Sequence, residues 1–136
     1  MSFVLDSSVS LTWCFDDEHT DATDALLERV VEAGAVAPAL WPLEILNALA
    51  MAERRSRIDA ERRQRLAGFL RDLPVTIDEE TASQAWAVTS QLAARFRLSV
   101  YDAAYLELAQ RRGLPLATLD QDLRAAAAAL GVALLD

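Results

Sequence analysis

The chain has 136 residues, of which 53% are hydrophobic and 25% charged, and its formal net charge is -8. This length and composition predict one folded domain over residues 1–136 and argue against intrinsic disorder. The acidic balance disfavours indiscriminate nucleic-acid binding, for which proteins use basic surfaces.

No apolar stretch approaches the roughly 20 residues that cross a bilayer. No basic leader precedes the first apolar run, so no signal peptide is expected. Cys14 is the only cysteine, which rules out an intrachain disulfide. We therefore expect a soluble cytoplasmic protein that does not associate with membranes.

All 13 basic residues are arginines, and the densest group lies between Arg54 and Arg65. Arginine matches phosphate geometry well, although each arginine is equally well explained as part of a solvated helix face. The absence of lysine excludes a Walker-type phosphate loop. It also separates the chain from phosphoreceiver domains and haloacid-dehalogenase-like phosphatases, which resemble it only in a first strand that ends in Asp.

Strands and helices alternate along the chain. Short apolar runs predict strands at 2–5, 36–38, 75–77, 115–119 and 132–135. Helical spacing, caps and stops predict a short helical turn at 11–15 and helices at about 20–34, 42–55, 59–73, 79–96, 99–113 and 120–131. This order is typical of an α/β fold, with a parallel sheet covered by helices on both faces.

Helical spacing also predicts which side chains face the core. In the helix that begins at Pro42, we expect Leu43, Leu46, Leu49 and Ala50 to lie on the inward side. Residues 79–96 show the clearest helical pattern, and Trp86 is one of its apolar positions.

Four acidic residues stand where apolar segments end: Asp6, Glu44, Asp102 and Asp120. Asp6 and Asp120 follow predicted strands, and the other two lie in the first turns of predicted helices. A helix N-terminus stabilises one carboxylate at a time, but it does not explain four acids gathered on the strand-end edge, where parallel sheets bind ligands. Carboxylates beside a core are costly unless they are paired, hydrogen-bonded or metal-bound, so we predict a metal site.

An all-carboxylate site suits Mg²⁺ or Mn²⁺. Zinc is disfavoured because His19 and Cys14 are the only residues of their types. We expect His19 to lie in a solvated acidic loop, and Cys14, between two aromatic residues, to belong to the core.

Polar neighbours are candidates for supporting roles. Ser7 and Thr118 each adjoin an acid and could donate a hydrogen bond to it, whereas Ser8 is expected to cap a helix. Asn47 lies three residues after Glu44, on the same side of a helix, where its amide could orient the carboxylate.

Four segments together resemble the motifs of PIN-domain ribonucleases: Val4-Leu5-Asp6-Ser7-Ser8, Glu44-x-x-Asn47, Tyr101-Asp102-Ala103-Ala104-Tyr105 and Thr118-Leu119-Asp120-Gln121-Asp122-Leu123. The resemblance covers essentially the whole chain and is strongest to the VapC toxins of bacterial toxin–antitoxin pairs. Each motif alone is weak, but four in this order are fairly specific.

The resemblance implies a three-layer α/β/α sandwich with a central parallel sheet of about 4–5 strands. It implies an Mg²⁺-dependent endoribonuclease, with Mn²⁺ able to substitute, that acts on RNA as a homodimer and pairs with a VapB-type antitoxin. By position, Asp6, Glu44, Asp102 and Asp120 take the catalytic, metal-binding places. Ser7, Asn47 and Thr118 take the supporting places, and Asp122 is a spare acid beside Asp120.

For the mechanism, we expect Asp6 and Asp102 to be the principal metal ligands. Glu44 and Asp120 would hold a second ion or position the water that attacks the phosphodiester. Two alternatives remain open. A protein of this fold could bind RNA or a protein partner without catalysis, and related flap-type DNA nucleases carry similar acids but are longer.

Overall fold

A short parallel sheet forms the centre of the protein. The computed structural model describes residues 2–135. Strands β1 (Val4–Leu5), β2 (Ala35–Ala37), β3 (Val75–Ile77) and β4 (Leu116–Ala117) lie in the order β3-β2-β1-β4, and every neighbouring pair is parallel. The predicted final strand is reduced to a single parallel bridge between Leu116 and Leu134.

Helices connect the strands and cover the sheet. They are α1 (Ser7–Thr12), α2 (Asp21–Ala33), α3 (Trp41–Arg54), α4 (Ala60–Arg71), α5 (Thr81–Gln84), α6 (Ser90–Phe96), α7 (Val100–Arg112) and α8 (Gln121–Leu130). The predicted α/β/α architecture around a parallel sheet is confirmed. None of the helices within residues 2–135 is long and apolar enough to cross a membrane.

Local capping chemistry sets several helix boundaries where the sequence predicts them. The side chains of Thr20, Asp59, Ser99 and Asp120 each accept a hydrogen bond from a backbone N–H in the first turn of the helix that follows. Gly113 and Gly131 end α7 and α8 in left-handed conformations, with φ of 62° and 79°.

Helix α7 lies within the core. Every residue from Ala103 to Ala109 is buried, and the side chains of Tyr105, Leu106 and Leu108 are fully inaccessible to solvent. They pack in one hydrophobic cluster with β1 residues such as Leu5 and with Leu116 of β4. Helix α7 packs directly against both β1 and β4.

The inward face of α3 agrees with the predicted one only in part. Leu49 is buried as expected, but Leu43 is 70% exposed and Leu46 49% exposed. The other buried residues of this helix are Trp41, Ile45 and Ala52. The α3 sequence is apolar on more than one face, so helical spacing alone did not choose between them. The indole N–H of Trp41 donates to Ser10 Oγ at 2.9 Å, which turns the Trp41 side of the helix toward α1.

The predicted helix at 79–96 is interrupted. Helix α5 ends at Gln84, a π-helical turn covers Ala85–Thr89, and α6 continues to Phe96. Ala87, with φ of -120° and ψ of -107°, marks the break. A π-turn inserts extra backbone and shifts the helical phase, so Trp86 is 92% exposed instead of facing the core.

A buried ionic network connects the end of β3 to the end of α7. Asp78, only 1% exposed, accepts hydrogen bonds from Arg111 at 2.6 Å and from Arg112 at 3.1 Å. Arg111 also bonds to Glu107 at 2.7 Å and to Glu80 at 3.0 Å. Burial by itself would raise the pKa of Asp78, but the hydrogen bonds and charge of Arg111 hold this pKa below its usual value.

Replacing Asp78 by alanine is expected to lower the free energy of unfolding by about 2 kcal/mol at pH 7, because Arg111 and Arg112 lose the buried carboxylate to which both donate. Urea denaturation measures this loss. The matched control is Asp72→Ala, since Asp72 pairs with Arg71 on the open surface; it should cost no more than about 0.5 kcal/mol.

The same variant gives a pH signature. The native-state pKa of Asp78 is lowered, so its stabilisation is present above the unfolded-state pKa of about 3.9 and is lost as pH falls through the native value. The stability difference between the parent and Asp78→Ala should therefore begin to shrink only below about pH 4, and it should continue to shrink as pH falls through the lower native pKa of Asp78. Equal losses for Asp78→Ala and Asp72→Ala at pH 7 would contradict a stabilising role for the network.

Candidate active site

Asp6 is the most buried of the four predicted acids. It follows β1, is 3% exposed, and its backbone N–H donates to Ala117 O at 3.0 Å, which extends the pairing of β1 with β4. Its Oδ2 accepts hydrogen bonds from Ser8 Oγ and from Thr118 Oγ1, both at 2.6 Å. Burial raises the pKa of Asp6, and these hydroxyls oppose the increase.

Glu44 approaches from the first turn of α3. Its Oε1 accepts a hydrogen bond from Tyr105 Oη at 2.6 Å and a longer one from Ser7 Oγ at 3.2 Å. The side chain is half-buried, and this burial raises the pKa of Glu44. The negative charge of Asp6 raises it further, so Glu44 and Asp6 lie within electrostatic reach of each other.

Asp102 is linked electrostatically to all three other acids. It lies in the first turn of α7, where its backbone N–H donates to Ser99 Oγ at 3.0 Å. Burial raises the pKa of Asp102 to about 6, and the charges of Asp120, Asp6 and Glu44 contribute to the increase. The fold therefore gathers the four predicted carboxylates into one region.

Asp120 caps α8 at the end of the chain segment that follows β4. Its Oδ1 accepts from the backbone N–H of Leu123 at 2.9 Å, and its own N–H donates to Thr118 Oγ1 at 3.1 Å. Thr118 thus links Asp120 to Asp6. Asp122 is exposed on the first turn of α8.

The supporting residues differ in part from those expected. Ser7 reaches Glu44 instead of its neighbour Asp6, and Ser8, expected to cap a helix, donates to Asp6. Asn47 is exposed and makes no hydrogen bond to Glu44 within residues 2–135. Its expected role of orienting Glu44 is instead filled by Tyr105. The sequence did not predict this role for Tyr105, because the residue occupies one of the apolar positions along α7.

The remaining candidates for metal or nucleophile chemistry lie outside this region. Cys14 is buried, and burial raises the pKa of its thiol to about 11, so it is a poor nucleophile at neutral pH. His19 is exposed and sits 3.3 Å from Asp24 on the surface. Both observations agree with the roles expected from the sequence.

The donor set matches a hard divalent cation in chemistry. All four side chains offer carboxylate oxygens, and their mutual repulsion and burial are what a bound cation would relieve. Across residues 2–135, however, no group of three or more His, Cys, Asp or Glu side chains could hold a metal ion as positioned. The four side chains therefore suit such an ion in their chemistry and in their nearness to one another. Their oxygens are not arranged as a complete set of metal ligands.

The sequence model of the PIN domain matches residues 3–129, and the chain belongs to this family. Among curated proteins, none matches the chain.

Several solved structures share the fold. PAE2754 from Pyrobaculum aerophilum is 23% identical with a TM-score of 0.69, over 93% of this chain and 79% of that one. FitAcB from Neisseria gonorrhoeae is 18% identical with a TM-score of 0.69, over 100% of this chain and 97% of that one. VapC20 from Mycobacterium tuberculosis, described as a sarcin–ricin loop cleaving toxin, is 16% identical with a TM-score of 0.64, over 91% and 94%. At these identities the likeness concerns the fold.

Burial of Asp102, together with the charges of the other three acids, predicts that Asp102→Asn stabilises the metal-free protein. The folded-state pKa of Asp102, about 6, lies above the unfolded value of about 3.9. The ionised form therefore destabilises the native state, and this penalty grows as pH rises from 4 through 6. In EDTA at pH 8, the asparagine variant should be more stable by on the order of 1 kcal/mol, because solvent screens part of the interaction.

Urea denaturation at pH 8 and at pH 4.5 checks whether the substitution stabilises the protein in this way. The advantage of Asp102→Asn should shrink at the lower pH, where the parent carboxyl is largely protonated. A variant less stable than the parent at pH 8 would show that burial and the neighbouring charges do not penalise the ionised form of Asp102 as inferred.

Proposed function

We propose that the protein is a metal-dependent endoribonuclease that hydrolyses RNA phosphodiester bonds, and that it is the toxin of a VapBC-like toxin–antitoxin pair. The observation that carries the proposal is the gathering of Asp6, Glu44, Asp102 and Asp120 at one region beside the ends of β1 and β4, with Asp102 coupled to the other three. Membership of the PIN domain family supports a nuclease function in general.

The four acids take different roles in this proposal. Asp6 and Asp102 are the principal ligands of Mg²⁺ or Mn²⁺. Glu44 and Asp120 hold a second ion or orient the attacking water. A divalent cation bound here would neutralise phosphate charge and make water more acidic at neutral pH.

The surrounding hydroxyls prepare the carboxylates for this task. Ser8 and Thr118 fix Asp6, and Ser7 donates to Glu44, so the oxygens are oriented before substrate arrives. Buried hydrogen bonds also keep these carboxylates in place despite their mutual repulsion. Asn47 and Asp122, both exposed at the edge of the site, remain available as contacts to RNA or to outer water.

The proposed partners rest on the relatives. The fold is shared with FitAcB and with VapBC2 from Rickettsia felis, the latter bound to a DNA fragment from their promoter. The name VapBC2 agrees with the VapB–VapC pairing that the sequence motifs imply. On this chain, an apolar groove between α3 and α4 is lined by Ile45, Leu46, Ala67 and Leu73, with Arg63 on its wall. Such a groove suits an amphipathic segment of an antitoxin. We also propose that the protein forms a homodimer.

A second candidate function is a non-catalytic PIN-fold module that binds RNA or a protein. It is favoured by one observation: the acids, as positioned, do not form a closed group of three or more metal ligands within residues 2–135. A binding module would bind RNA equally well with and without divalent ions, whereas the nuclease would cleave only with them.

Purified protein free of antitoxin should cut a total-RNA mixture in Mg²⁺ or Mn²⁺ and leave it intact in EDTA. Asp6→Asn should slow cleavage by about a hundredfold or more, since it removes a charge that the metal requires. End mapping of the products identifies the target RNA.

Asp72→Asn is the matched control because it makes the same chemical change on an exposed side chain paired with Arg71. It should cut at the parental rate. Metal-dependent cleavage that persists undiminished in Asp6→Asn would place the active site elsewhere, and intact RNA under all conditions would favour the binding module.

A further inference from the structure

Tyr105 is a fully buried residue whose only polar atom points at the proposed active site. It lies in the middle of the core helix α7, with no exposed surface, and its hydroxyl donates to Glu44 Oε1 at 2.6 Å. A buried tyrosine hydroxyl requires a hydrogen-bond partner. A backbone carbonyl would satisfy it, yet here the partner is a carboxylate from another helix.

This hydrogen bond is short and involves a charged acceptor. Such bonds are about twice as strong as those between neutral groups. Burial, together with the charges of Asp6 and Glu44, raises the pKa of Tyr105 far above its usual value, so the phenol keeps its proton and remains a donor.

The second donor to Glu44 reaches the same oxygen. Ser7 Oγ lies 3.2 Å from Oε1, and no hydrogen bond reaches Oε2 from the described part of the chain. One oxygen of Glu44 is therefore held by two donors and the other is left for a ligand. A single free oxygen favours binding of an ion through one contact.

The two donors come from the segments that carry other acids. Ser7 directly follows Asp6, and Tyr105 lies one helical turn after Asp102 on α7. Glu44, on α3, is thus tied to both of these segments. A free glutamate loses up to about 2 kcal/mol of side-chain entropy when it is ordered, and these hydrogen bonds restrict it before an ion arrives.

We propose that Tyr105 is a positioning residue that fixes Glu44 so that its Oε2 is available to a divalent cation. The inference rests on the proposed function, because it assigns a role within the same site. Tyr105 itself touches neither the ion nor the RNA.

The test is Mn²⁺ affinity of Tyr105→Phe, measured by calorimetry on the full chain without RNA. This variant keeps the buried ring and removes only the hydroxyl. Mn²⁺ binding should weaken by about tenfold, the effect typical of losing a residue that orients a metal ligand. Tyr101→Phe is the matched control, since Tyr101 lies one turn earlier on α7 and is 65% exposed; its Mn²⁺ affinity should equal that of the parent.

A double-mutant cycle separates positioning from a general structural effect. In a Glu44→Ala background there is no carboxylate to orient, so adding Tyr105→Phe should leave Mn²⁺ affinity unchanged. Ser7→Ala provides a second route to the same cycle. It should weaken Mn²⁺ binding by less than Tyr105→Phe, because its hydrogen bond is longer, and its effect should also vanish without Glu44.

Three outcomes would overturn the proposal: parental Mn²⁺ affinity in Tyr105→Phe, an equal loss in the Glu44→Ala background, or a parent protein that binds no Mn²⁺. A parent protein that binds no Mn²⁺ would also contradict the proposed metal-dependent nuclease activity. If the cycle behaves as expected but no RNA is cut, the positioning role stands and the nuclease proposal fails. If RNA is cut and Tyr105→Phe leaves Mn²⁺ affinity unchanged, only the positioning role fails.

Discussion

The burial and mutual repulsion of clustered carboxylates, one buried and three partly buried, are the constraint on which the rest of this structure depends. Asp6 is 3% exposed, and burial together with neighbouring charges raises the pKa of Asp102 to about 6. A fold gains no stability from such an arrangement, because each carboxylate loses hydration near others of the same sign. Hydroxyl donors from Ser8, Thr118 and Tyr105 offset part of this cost. The part of this cost that the hydroxyls do not offset is a reason to expect a cation bound among the carboxylates.

The architecture explains how four distant segments meet. Parallel strands all end at the same edge of the sheet, and the helices that follow them begin there. Strands β1 and β4 are adjacent in the order β3-β2-β1-β4, so Asp6 and Thr118 lie within hydrogen-bonding distance although 112 residues separate them. Helix α7 is buried from Ala103 to Ala109 and contacts β1 and β4, so the core anchors the segment that directly follows Asp102.

The sequence predicted the elements and acids well because local rules govern them. Caps such as Ser99 and stops such as Gly113 act through their nearest neighbours, and an acid after an apolar run is visible in the chain itself. Most of the inward face of α3 was predicted wrongly, because tertiary packing selects among faces that are equally apolar. The uninterrupted helix predicted over 79–96 was also wrong, since helical spacing does not indicate the π-turn at Ala85–Thr89. The hydrogen bond between Tyr105 and Glu44 joins residues 61 positions apart, and helical spacing cannot predict such a contact.

Anomalous diffraction from a crystal soaked in Mn²⁺ would test directly whether the four carboxylates form a metal centre. We expect a peak within about 2.2 Å of carboxylate oxygens from Asp6 and Asp102, the distance expected for a hard divalent ion with oxygen ligands. The side chains of Glu44 and Asp120 should close around the ion or its waters. A fully ordered site with no peak, or a peak bound only by surface acids, would contradict the claim that these four carboxylates form a metal centre.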